Sequence, residues 1–367
     1  MIITLEPGAN AEQAVARIEQ ILGDESGVEL RKYTFEGAAT SVVELHLIGN
    51  TGELRESAFA VLRGVHKVVR VSKKYRLLGR PTGTTESVGF EYNGVHFDDT
   101  RVTVMAGQCA VDTREHTAAM FAALSEHGLK TSRMGVYKPR TSPYDFQGLG
   151  KACLPWLLEQ AAEADVRVIA VEVGDERHVE EIHSAINEAD CGVGVMLQIG
   201  TRNAQNFELL KHVGRQQTLP VLFKRGMGLT IEESLNACEY IASEGNSKII
   251  FCMRGVKSSL GAPHRNFVDF GQVPVVRRLT RLPVCIDPSH SVGNLDLAPD
   301  GLPDLIHAVG QGLIAGASMV LIEFHPDPVR ACCDGHQSLE PRHLPFLLEY
   351  VACVRRAYEE VIALPTP

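Results

Sequence analysis

A set of positively charged residues is the first feature of this chain that could do chemistry. Its members follow or flank short apolar runs, and they are Arg133, Lys138, Arg140, Arg202, Lys224, Arg225 and Arg254. Guanidinium forks and ammonium charges at this density suit more than one phosphate or carboxylate. Each of them alone is also compatible with solvated surface charge. Together they indicate a pocket for small anions in a chain whose formal net charge is −9.

Four residues far apart in the sequence offer soft and hard metal ligands, namely Cys109, His290, Glu323 and Asp334. Thiolate, imidazole and carboxylate donors together suit a divalent transition metal such as Mn, Fe, Co or Zn. Their spacing forms no recognisable motif, and a single cysteine after a strand is often a small core residue. The residues alone therefore leave two interpretations open, a metal site and a set of unconnected buried groups.

Composition excludes several classes of protein. The acidic balance and the lack of a basic block argue against nucleic acid or an anionic membrane as partner. The nine cysteines form neither a CxxC pair nor a disulfide framework. We see no signal peptide and no run of 18 apolar residues, so the expectation is a cytoplasmic protein.

The elements that must position these groups form a regular series after residue 101. Short apolar, β-branched runs alternate with about a dozen residues of helical period. The runs are VTVMAG, RMGVYK, VRVIAVEV, VGVMLQIG, PVLFKRG, KIIFCMRG, LPVCID and SMVLIEFH. Eight such units predict a (β/α)8 TIM barrel over 101–367, whose active site lies at the C-terminal ends of the strands. A doubly wound sheet also alternates, but it rarely needs eight even units.

The first part of the chain has a different pattern. Residues 1–75 read strand, helix, strand, strand, helix, strand, which predicts a small ferredoxin-like α+β domain. Residues 76–100 are rich in Gly and Thr and predict a linker with one hairpin.

Longer strings add a family resemblance. They are KPRTSPYDFQGLG at 138–150, QIGTRNAQNFELL at 198–210, FKRGMGLTIEE at 223–233, DPSHSVGNLD at 287–296, and IEFHPDP with DGHQSL within 322–339. These strings closely resemble 3-deoxy-D-arabino-heptulosonate 7-phosphate (DAHP) synthases, in particular the microbial type I-beta subtype with an N-terminal ferredoxin-like regulatory domain. The resemblance covers nearly the whole chain.

The resemblance implies a role for each candidate residue. The family's metal ligands correspond to Cys109, His290, Glu323 and Asp334. Its phosphoenolpyruvate contacts correspond to Arg133, Lys138, Arg202, Lys224 and Arg254. In the KPRTS string, Pro139, Arg140 and Thr141 correspond to the site for the aldose phosphate. Lys138 is the candidate for proton transfer or oxyanion stabilisation, with Glu172 and His325 as further catalytic candidates.

The activity that the resemblance implies is the metal-dependent condensation of phosphoenolpyruvate with erythrose 4-phosphate, the first step of the shikimate pathway. It also implies a homo-oligomer, dimer or tetramer, in which the N-terminal domains bind an aromatic amino acid and close over the barrel mouth.

Some positions depart from the family's pattern. Gln108 and Ala110 replace a proline and a serine beside the metal cysteine, and Met134 and Met253 also differ. These departures leave two alternatives open: a related synthase of a specialised pathway that uses another phosphorylated aldose, and a non-catalytic regulatory paralogue. A Schiff-base aldolase is disfavoured because the sixth run ends in Arg254 rather than lysine.

Overall fold

The structure of the protein is a computed structural model that describes residues 1–23, 27–36, 41–49, 51–70, 75–80, 84, 87 and 89–365. The elements of the N-terminal part are β1 (Ile2–Leu5), α1 (Ala11–Leu22), β2 (Val28–Glu36), β3 (Ser41–Gly49), α2 (Glu56–Ala60) and β4 (Val65–Val69). They form an antiparallel sheet in the order β2-β3-β1-β4. This is the predicted ferredoxin-like arrangement, although α2 is shorter than the sequence pattern indicates.

Eight parallel strands close into a barrel. They are β7 (Thr103–Gly107), β8 (Thr131–Arg133), β9 (Val168–Val173), β10 (Gly194–Ile199), β11 (Val221–Lys224), β12 (Ile249–Arg254), β13 (Val284–Asp287) and β14 (Met319–Glu323). Each strand pairs with the next, and β14 pairs with β7 to complete the ring. The predicted fold class, a TIM barrel with a small additional α+β unit, is confirmed.

Helices surround the barrel. They are α3 (Arg114–Glu126), α4 (Leu154–Glu163), α5 (Glu176–Ala189), α6 (Phe207–Arg215), α7 (Ile231–Ser243), α8 (Val273–Leu279), α9 (Ser289–Val292), α10 (Asp304–Ile314) and α11 (Leu344–Ile362). Local signals set their starts; Thr230 and Glu233, for example, form a capping box that begins α7. None of the described helices is long and apolar enough to cross a membrane.

A hairpin closes the N-terminal end of the barrel. It consists of β5 (Phe90–Tyr92) and β6 (Val95–Phe97), which pair antiparallel. Phe90 and Phe97 are buried against the side chains that fill the barrel interior, among them Met105 and Met196. The hairpin is therefore part of the barrel core, which leaves the opposite end of the strands available for a site.

The second strand differs from its prediction. The run RMGVYK predicts a strand over 133–138, but β8 ends at Arg133. Beyond it the backbone passes directly against the segment after β7, since a Cβ on Gly135 would collide with the Cys109 carbonyl oxygen. Met134 N–H donates to Ala170 O and Gly135 N–H to Gln108 O, so two ladder-type hydrogen bonds follow β8 before the chain turns into the next loop.

The N-terminal sheet contacts the barrel at the end opposite to the C-terminal ends of the strands. Arg281, which lies just before β13, donates to both carboxylate oxygens of Glu44, at 2.6 and 3.2 Å. His46 Nε2 lies 2.9 Å from Glu44 Oε2, and the Arg281 guanidinium stacks over the Phe35 ring at 4.8 Å. The side chains of Glu44, His46 and Arg281 are all buried. This contact therefore joins the N-terminal sheet to the barrel below the barrel, at the end opposite to the C-terminal ends of its strands.

Candidate active site

The alternation of side chains along the barrel strands places most of the polar side chains of the site. Alternate residues of each strand face the barrel interior, where they form a layer that includes Ala170, Leu222, Cys252, Cys285 and Leu321. The next inward positions along the same strands, at their C-terminal ends, are Glu172, Gln198, Lys224, Arg254, Asp287 and Glu323. Side chains distant in sequence are thereby brought to one end of the barrel.

Four potential metal ligands converge on the floor of this end. One donor atom from each of Cys109, His290, Glu323 and Asp334 lies within 4.8 Å of the other three. Cys109 Sγ lies 3.1 Å from Asp334 Oδ2, and His290 Nε2 lies 3.1 Å from Glu323 Oε1. The structure brings the four sequence candidates together, and their sulfur, nitrogen and oxygen donors suit a divalent transition ion.

His290 is oriented as a metal-binding histidine usually is. Its Nδ1 lies 3.0 Å from Asp287 Oδ2, so a proton on Nδ1 leaves the Nε2 lone pair directed at the cluster. Burial lowers the pKa of His290 despite the neighbouring Asp287 and Glu323 carboxylates. The neutral imidazole, which is the form that binds a metal, is therefore the form favoured at neutral pH.

Cys109 and Lys138 face each other at the edge of the cluster. Lys138 Nζ donates to Cys109 Sγ over 3.0 Å. Burial raises the pKa of the Cys109 thiol well above its usual value, and a bound cation would reverse this by stabilising the thiolate. Burial alone would lower the pKa of Lys138, but Cys109 and Glu172 outweigh it and raise that pKa. Lys138 is therefore a cation at neutral pH.

A cavity of about 430 Å³ opens above the cluster. Seven cationic side chains line it: Lys138, Arg140, Arg202, Lys224, Arg254, Lys257 and Arg265. Only three carboxylates share the lining, those of Asp145, Glu172 and Asp334. Buried Arg254 Nε has no hydrogen-bond partner among the described residues. The excess of donors and positive charge suits ligands that carry several negative charges.

The loop after β8 supplies the outer wall of this cavity. Pro139, Arg140 and Thr141, which the KPRTS string assigns to the aldose phosphate, all line it. Arg202 Nη2 donates to Thr141 Oγ1 over 3.2 Å, which connects this loop to the segment after β10. Arg140 also pairs with Asp145 at 3.2 Å. A charged group bound by Arg140 would therefore lie next to the groups held by Arg202.

Apart from the metal-ligand candidates, three of the sequence candidates lie outside the cavity lining, namely Arg133, His325 and Arg225. Arg133 is buried below it and donates to Glu323 Oε1 over 2.9 Å, so it holds a metal-ligand candidate. His325 is buried away from it, where its Nε2 lies 2.9 Å from Asp112 Oδ2. The cationic residue Arg225 also points elsewhere, since it pairs with Asp269 at 2.5 Å. The geometry favours an indirect role for Arg133 and His325.

Asp112, His116 and His325 form a second group with metal-ligand chemistry. The backbone N–H of Asp327 donates to His325 Nδ1 over 3.0 Å, so the ring proton must lie on Nε2 and be donated to Asp112. A metal at Nε2 would displace that proton. The arrangement is the reverse of that at His290, and it favours a hydrogen-bond network over a metal site.

Sequence reasoning missed several residues of the site. Lys257 and Arg265 line the cavity, and Arg265 Nη1 donates to Asp334 Oδ1 over 3.3 Å. Gln337 Nε2 donates to Glu323 Oε2 over 2.6 Å. Gln337 lies within the DGHQSL string and could have been singled out, whereas Arg265 follows β12 by eleven positions and carries no periodic signal.

The comparisons with known proteins decide the family. The sequence profile described as the DAHP synthetase I family matches residues 85–359. The chain belongs to this family. It is 37% identical over 340 residues to the phospho-2-dehydro-3-deoxyheptonate aldolase of Thermotoga maritima, with 93% of each chain covered. It is 29% identical over 249 residues to the 2-dehydro-3-deoxyphosphooctonate aldolase of Syntrophotalea carbinolica, with 65% of this chain and 85% of that protein covered.

Solved structures agree with the family assignment. The crystal structure of the Thermotoga maritima phospho-2-dehydro-3-deoxyheptonate aldolase (DAHP synthase) superposes with a TM-score of 0.68 at 34% identity, covering 98% of this chain and 97% of that one. A truncated form of the 3-deoxy-D-arabino-heptulosonate 7-phosphate synthase from Thermotoga maritima gives a TM-score of 0.65 at 33% identity, over 78% of this chain and 98% of that one. The predicted enzyme class is confirmed.

The departures from the family pattern lie outside the cavity lining. Gln108 is fully buried, accepts from Thr117 Oγ1 and donates to Asp112 Oδ1, both over 3.0 Å. Met134 and Met253 are fully buried in the main apolar core, and Ala110 packs beside the Cys109 sulfur. Gln108 thus contributes to the Asp112 network, and none of the four contributes a cavity-lining side chain.

Proposed function

We propose that this chain catalyses the metal-dependent condensation of phosphoenolpyruvate with erythrose 4-phosphate to give DAHP and phosphate. Membership of the DAHP synthetase I family supports this reaction. The single structural observation that carries it is the group Cys109, His290, Glu323 and Asp334 at the floor of a strongly cationic cavity. A bound divalent ion would supply Lewis acidity at the aldehyde oxygen of the aldose.

Phosphoenolpyruvate lies in the inner part of the cavity in this proposal. It carries a phosphate and a carboxylate, so its binding requires several positively charged side chains. Lys138, Arg202, Lys224 and Arg254 line this part. Arg254 Nη2 donates to His290 O over 2.8 Å and Nη1 to Thr201 Oγ1 over 3.3 Å, which fixes the guanidinium, and its Nε has no partner among the described residues.

The aldose lies in the outer part, with its phosphate at Arg140 and Thr141. Because Thr141 contacts Arg202, the aldose and phosphoenolpyruvate are held next to each other. Seven lining cations offset the mutual repulsion of the two anions. This placement brings C3 of the enol towards the aldehyde carbon. The reaction forms a bond between these two atoms.

Lys138 and Glu172 carry the proton chemistry in this proposal. The raised pKa of Lys138 makes it a cation, suited to donating a hydrogen bond or a proton to the alkoxide that forms from the aldehyde. Glu172 lines the same cavity, and Gln198 Nε2 holds its Oε2 at 3.1 Å. We assign Glu172 to the water that adds at C2, after which phosphate leaves.

The nearest alternative is a synthase for a different aldose. The relatives named 2-dehydro-3-deoxyphosphooctonate aldolase support it, but at 29% identity over 65% of the chain rather than 37% over 93%. The KPRTS string, which differs from the KANRS of the arabinose 5-phosphate enzymes, also favours the four-carbon sugar. The convergence of all four metal ligands argues against a non-catalytic paralogue.

A phosphate-release assay tests the proposal. The purified chain is supplied with phosphoenolpyruvate and either erythrose 4-phosphate, arabinose 5-phosphate or ribose 5-phosphate, with and without a chelator. Of the three sugars, we expect only erythrose 4-phosphate to give rapid phosphate release. A chelator should abolish this release, and Mn²⁺ or a similar ion should restore it. Preference for a five-carbon sugar would support the alternative synthase. Full activity of a rigorously metal-free sample would contradict the metal role.

We further propose that residues 1–75 are a regulatory domain that binds an aromatic amino acid, in a homo-oligomer. The sheet of this part contacts its own barrel at Arg281, on the side away from the cavity. Closure over a barrel mouth would therefore require the domain of another subunit. Inhibition of the full chain by tyrosine, phenylalanine or tryptophan, together with its mass in solution, tests both parts.

A further inference from the structure

One carboxylate of the cavity has no role in the proposed reaction. Three carboxylates line the cavity, those of Asp145, Glu172 and Asp334. Gln198 holds Glu172, and Asp334 belongs to the group of potential metal ligands. Asp145 remains, in the loop after β8 that forms the outer wall. Its negative charge opposes the attraction that the seven lining cations exert on an anion.

Asp145 contacts the arginine that we assign to the aldose phosphate. Arg140 Nη2 donates to Asp145 Oδ2 over 3.2 Å, and Arg140 Nη1 donates to Cys333 Sγ over 2.9 Å. Both terminal nitrogens of the guanidinium therefore have a protein partner. Carboxylate and phosphate oxygens are the same kind of acceptor for a guanidinium fork. Asp145 thus occupies a donor group that a bound phosphate would use.

Backbone contacts hold Asp145 in this position. The backbone N–H of Asp145 donates to Ser142 O over 3.4 Å, and Gln147 Nε2 donates to Asp145 O over 2.7 Å. At the base of the loop, the backbone N–H of Lys138 donates to Gln147 O over 2.9 Å. None of these contacts uses the Asp145 carboxylate. Asparagine at position 145 should therefore leave the turn intact while it removes the charge.

The ion pair is accessible enough to be exchanged. The side chain of Asp145 is 43% exposed and that of Arg140 is 22% exposed. An ion pair of this exposure contributes little free energy, because water solvates the carboxylate nearly as well when it leaves. A phosphate with two negative charges can displace it from Arg140. The displaced carboxylate stays on the same loop and still repels that phosphate.

We propose that Asp145 is an internal competitor for the aldose-phosphate subsite and sets the affinity of this subsite for phosphorylated ligands. It occupies Arg140 until a phosphate replaces it, and it takes no part in the chemistry. The inference rests on the proposed function, in which Arg140 binds the phosphate of the aldose. Its distinctive consequence is that loss of the Asp145 charge strengthens ligand binding.

Asp145→Asn in the full-length protein tests the inference. We expect the KM for erythrose 4-phosphate and the calorimetric Kd for inorganic phosphate to fall about 5-fold, the upper range for an exposed ion pair. The KM for phosphoenolpyruvate should stay unchanged. Asp165→Asn is the matched control, since Asp165 is an exposed carboxylate that pairs with Arg167 at 2.9 Å before β9, at the other end of the barrel.

The gain should depend on Arg140 and on ionic strength. In an Arg140→Ala background, Asp145→Asn should give no further gain, because the donor for which the two anions compete is absent. At about 1 M salt, where the Debye length is about 3 Å, the difference between Asp145→Asn and the unmodified protein should shrink. If Asp145 instead orients Arg140 for its ligand, Asp145→Asn binds phosphate more weakly. Weaker or unchanged binding would overturn the inference.

The phosphate-binding and turnover measurements separate this inference from the proposed function. Tighter, Arg140-dependent binding of inorganic phosphate in Asp145→Asn, without turnover of any aldose, would keep the competitor role and overturn the proposed reaction. Turnover of erythrose 4-phosphate with the same KM and the same Kd for phosphate in both proteins would do the reverse.

Discussion

Asp287 lies between His290 and Lys224, with its Oδ2 3.0 Å from His290 Nδ1 and 2.5 Å from Lys224 Nζ. A single buried carboxylate therefore orients a proposed metal ligand and a proposed phosphoenolpyruvate ligand. The metal part and the anion part of the site share this residue, so a change at Asp287 should affect both.

We expect Asp287→Asn to weaken metal affinity by about 10–100-fold, because a neutral amide has one acceptor oxygen where the carboxylate holds both His290 Nδ1 and Lys224 Nζ. The measurement is competition with a fluorescent chelator. Asp269→Asn is the matched control, since Asp269 pairs with the adjacent cation Arg225 at 2.5 Å outside the cavity. Equal affinity in the two variants would show that Asp287 does not act through His290.

Arg140→Ala should raise the KM for the aldose and spare that for phosphoenolpyruvate. Loss of a charge-assisted contact to a phosphate costs about 2 kcal/mol, or roughly 30-fold. Arg177→Ala is the control, since Arg177 pairs with Asp175 on the exposed surface. Initial rates with each substrate varied in turn give both constants. Equal losses for the two substrates would mean that their subsites have been assigned wrongly.

The geometry of parallel strands made much of the site predictable from the sequence. Because parallel strands end at one face, the strand pattern alone places residues such as Glu172, Lys224 and Arg254 together. The period of two explains an error as well: Lys224 continues the inward row of β11, so Arg225 points outward to Asp269.

Loop residues were not predictable in this way. Arg265 and Cys333 reach the cavity through turns that have no regular period, and Cys333 does so through the left-handed conformation of Asp334. The end of the second strand was missed for a related reason. Its β-branched and aromatic residues predict extension to residue 138, but β8 ends at Arg133, and Gly135 then lies directly against the Cys109 backbone.

The buried contact below the barrel should make stability depend on pH. Burial lowers the pKa of His46, despite its bond to Glu44 at 2.9 Å, and Arg281 and the amino terminus act in the same direction. Burial by itself raises the pKa of Glu44, but His46 and Arg281 outweigh it, so the net pKa is lowered. Both groups bind protons more weakly folded than unfolded, so stability is present at neutral pH and lost on acidification.

We expect the Tm of the full chain to fall as the pH is lowered from 7 through the ordinary pKa range of histidine. His46→Gln keeps a donor for Glu44 but cannot titrate, so its Tm should fall less over the same interval. His307→Gln is the control, since His307 is an exposed histidine of α10 that pairs with Asp300. Parallel slopes in His46→Gln and the unmodified chain would exclude this contact as the cause.

Removal of the N-terminal part should leave a working catalyst if the shortened chain keeps every residue that packs in the barrel core. The chosen chain starts at Tyr75, because Tyr75, Leu77 and Leu78 are buried in the main core and Glu239 accepts from the backbone N–H of 76, 77 and 78. A chain that starts at Asp98 lacks the hairpin and with it Phe90 and Phe97, which close the barrel interior.

We expect the chain from Tyr75 to retain turnover and to lose inhibition by aromatic amino acids, whereas the chain from Asp98 should unfold at a lower temperature or aggregate. Loss of two buried phenylalanines costs about 3–5 kcal/mol each. Circular dichroism, thermal melts and phosphate release with and without tyrosine or phenylalanine distinguish these outcomes. A folded but inert chain from Tyr75 would show that the first 74 residues contribute to catalysis. Retained inhibition in that chain would instead place the effector site on the barrel.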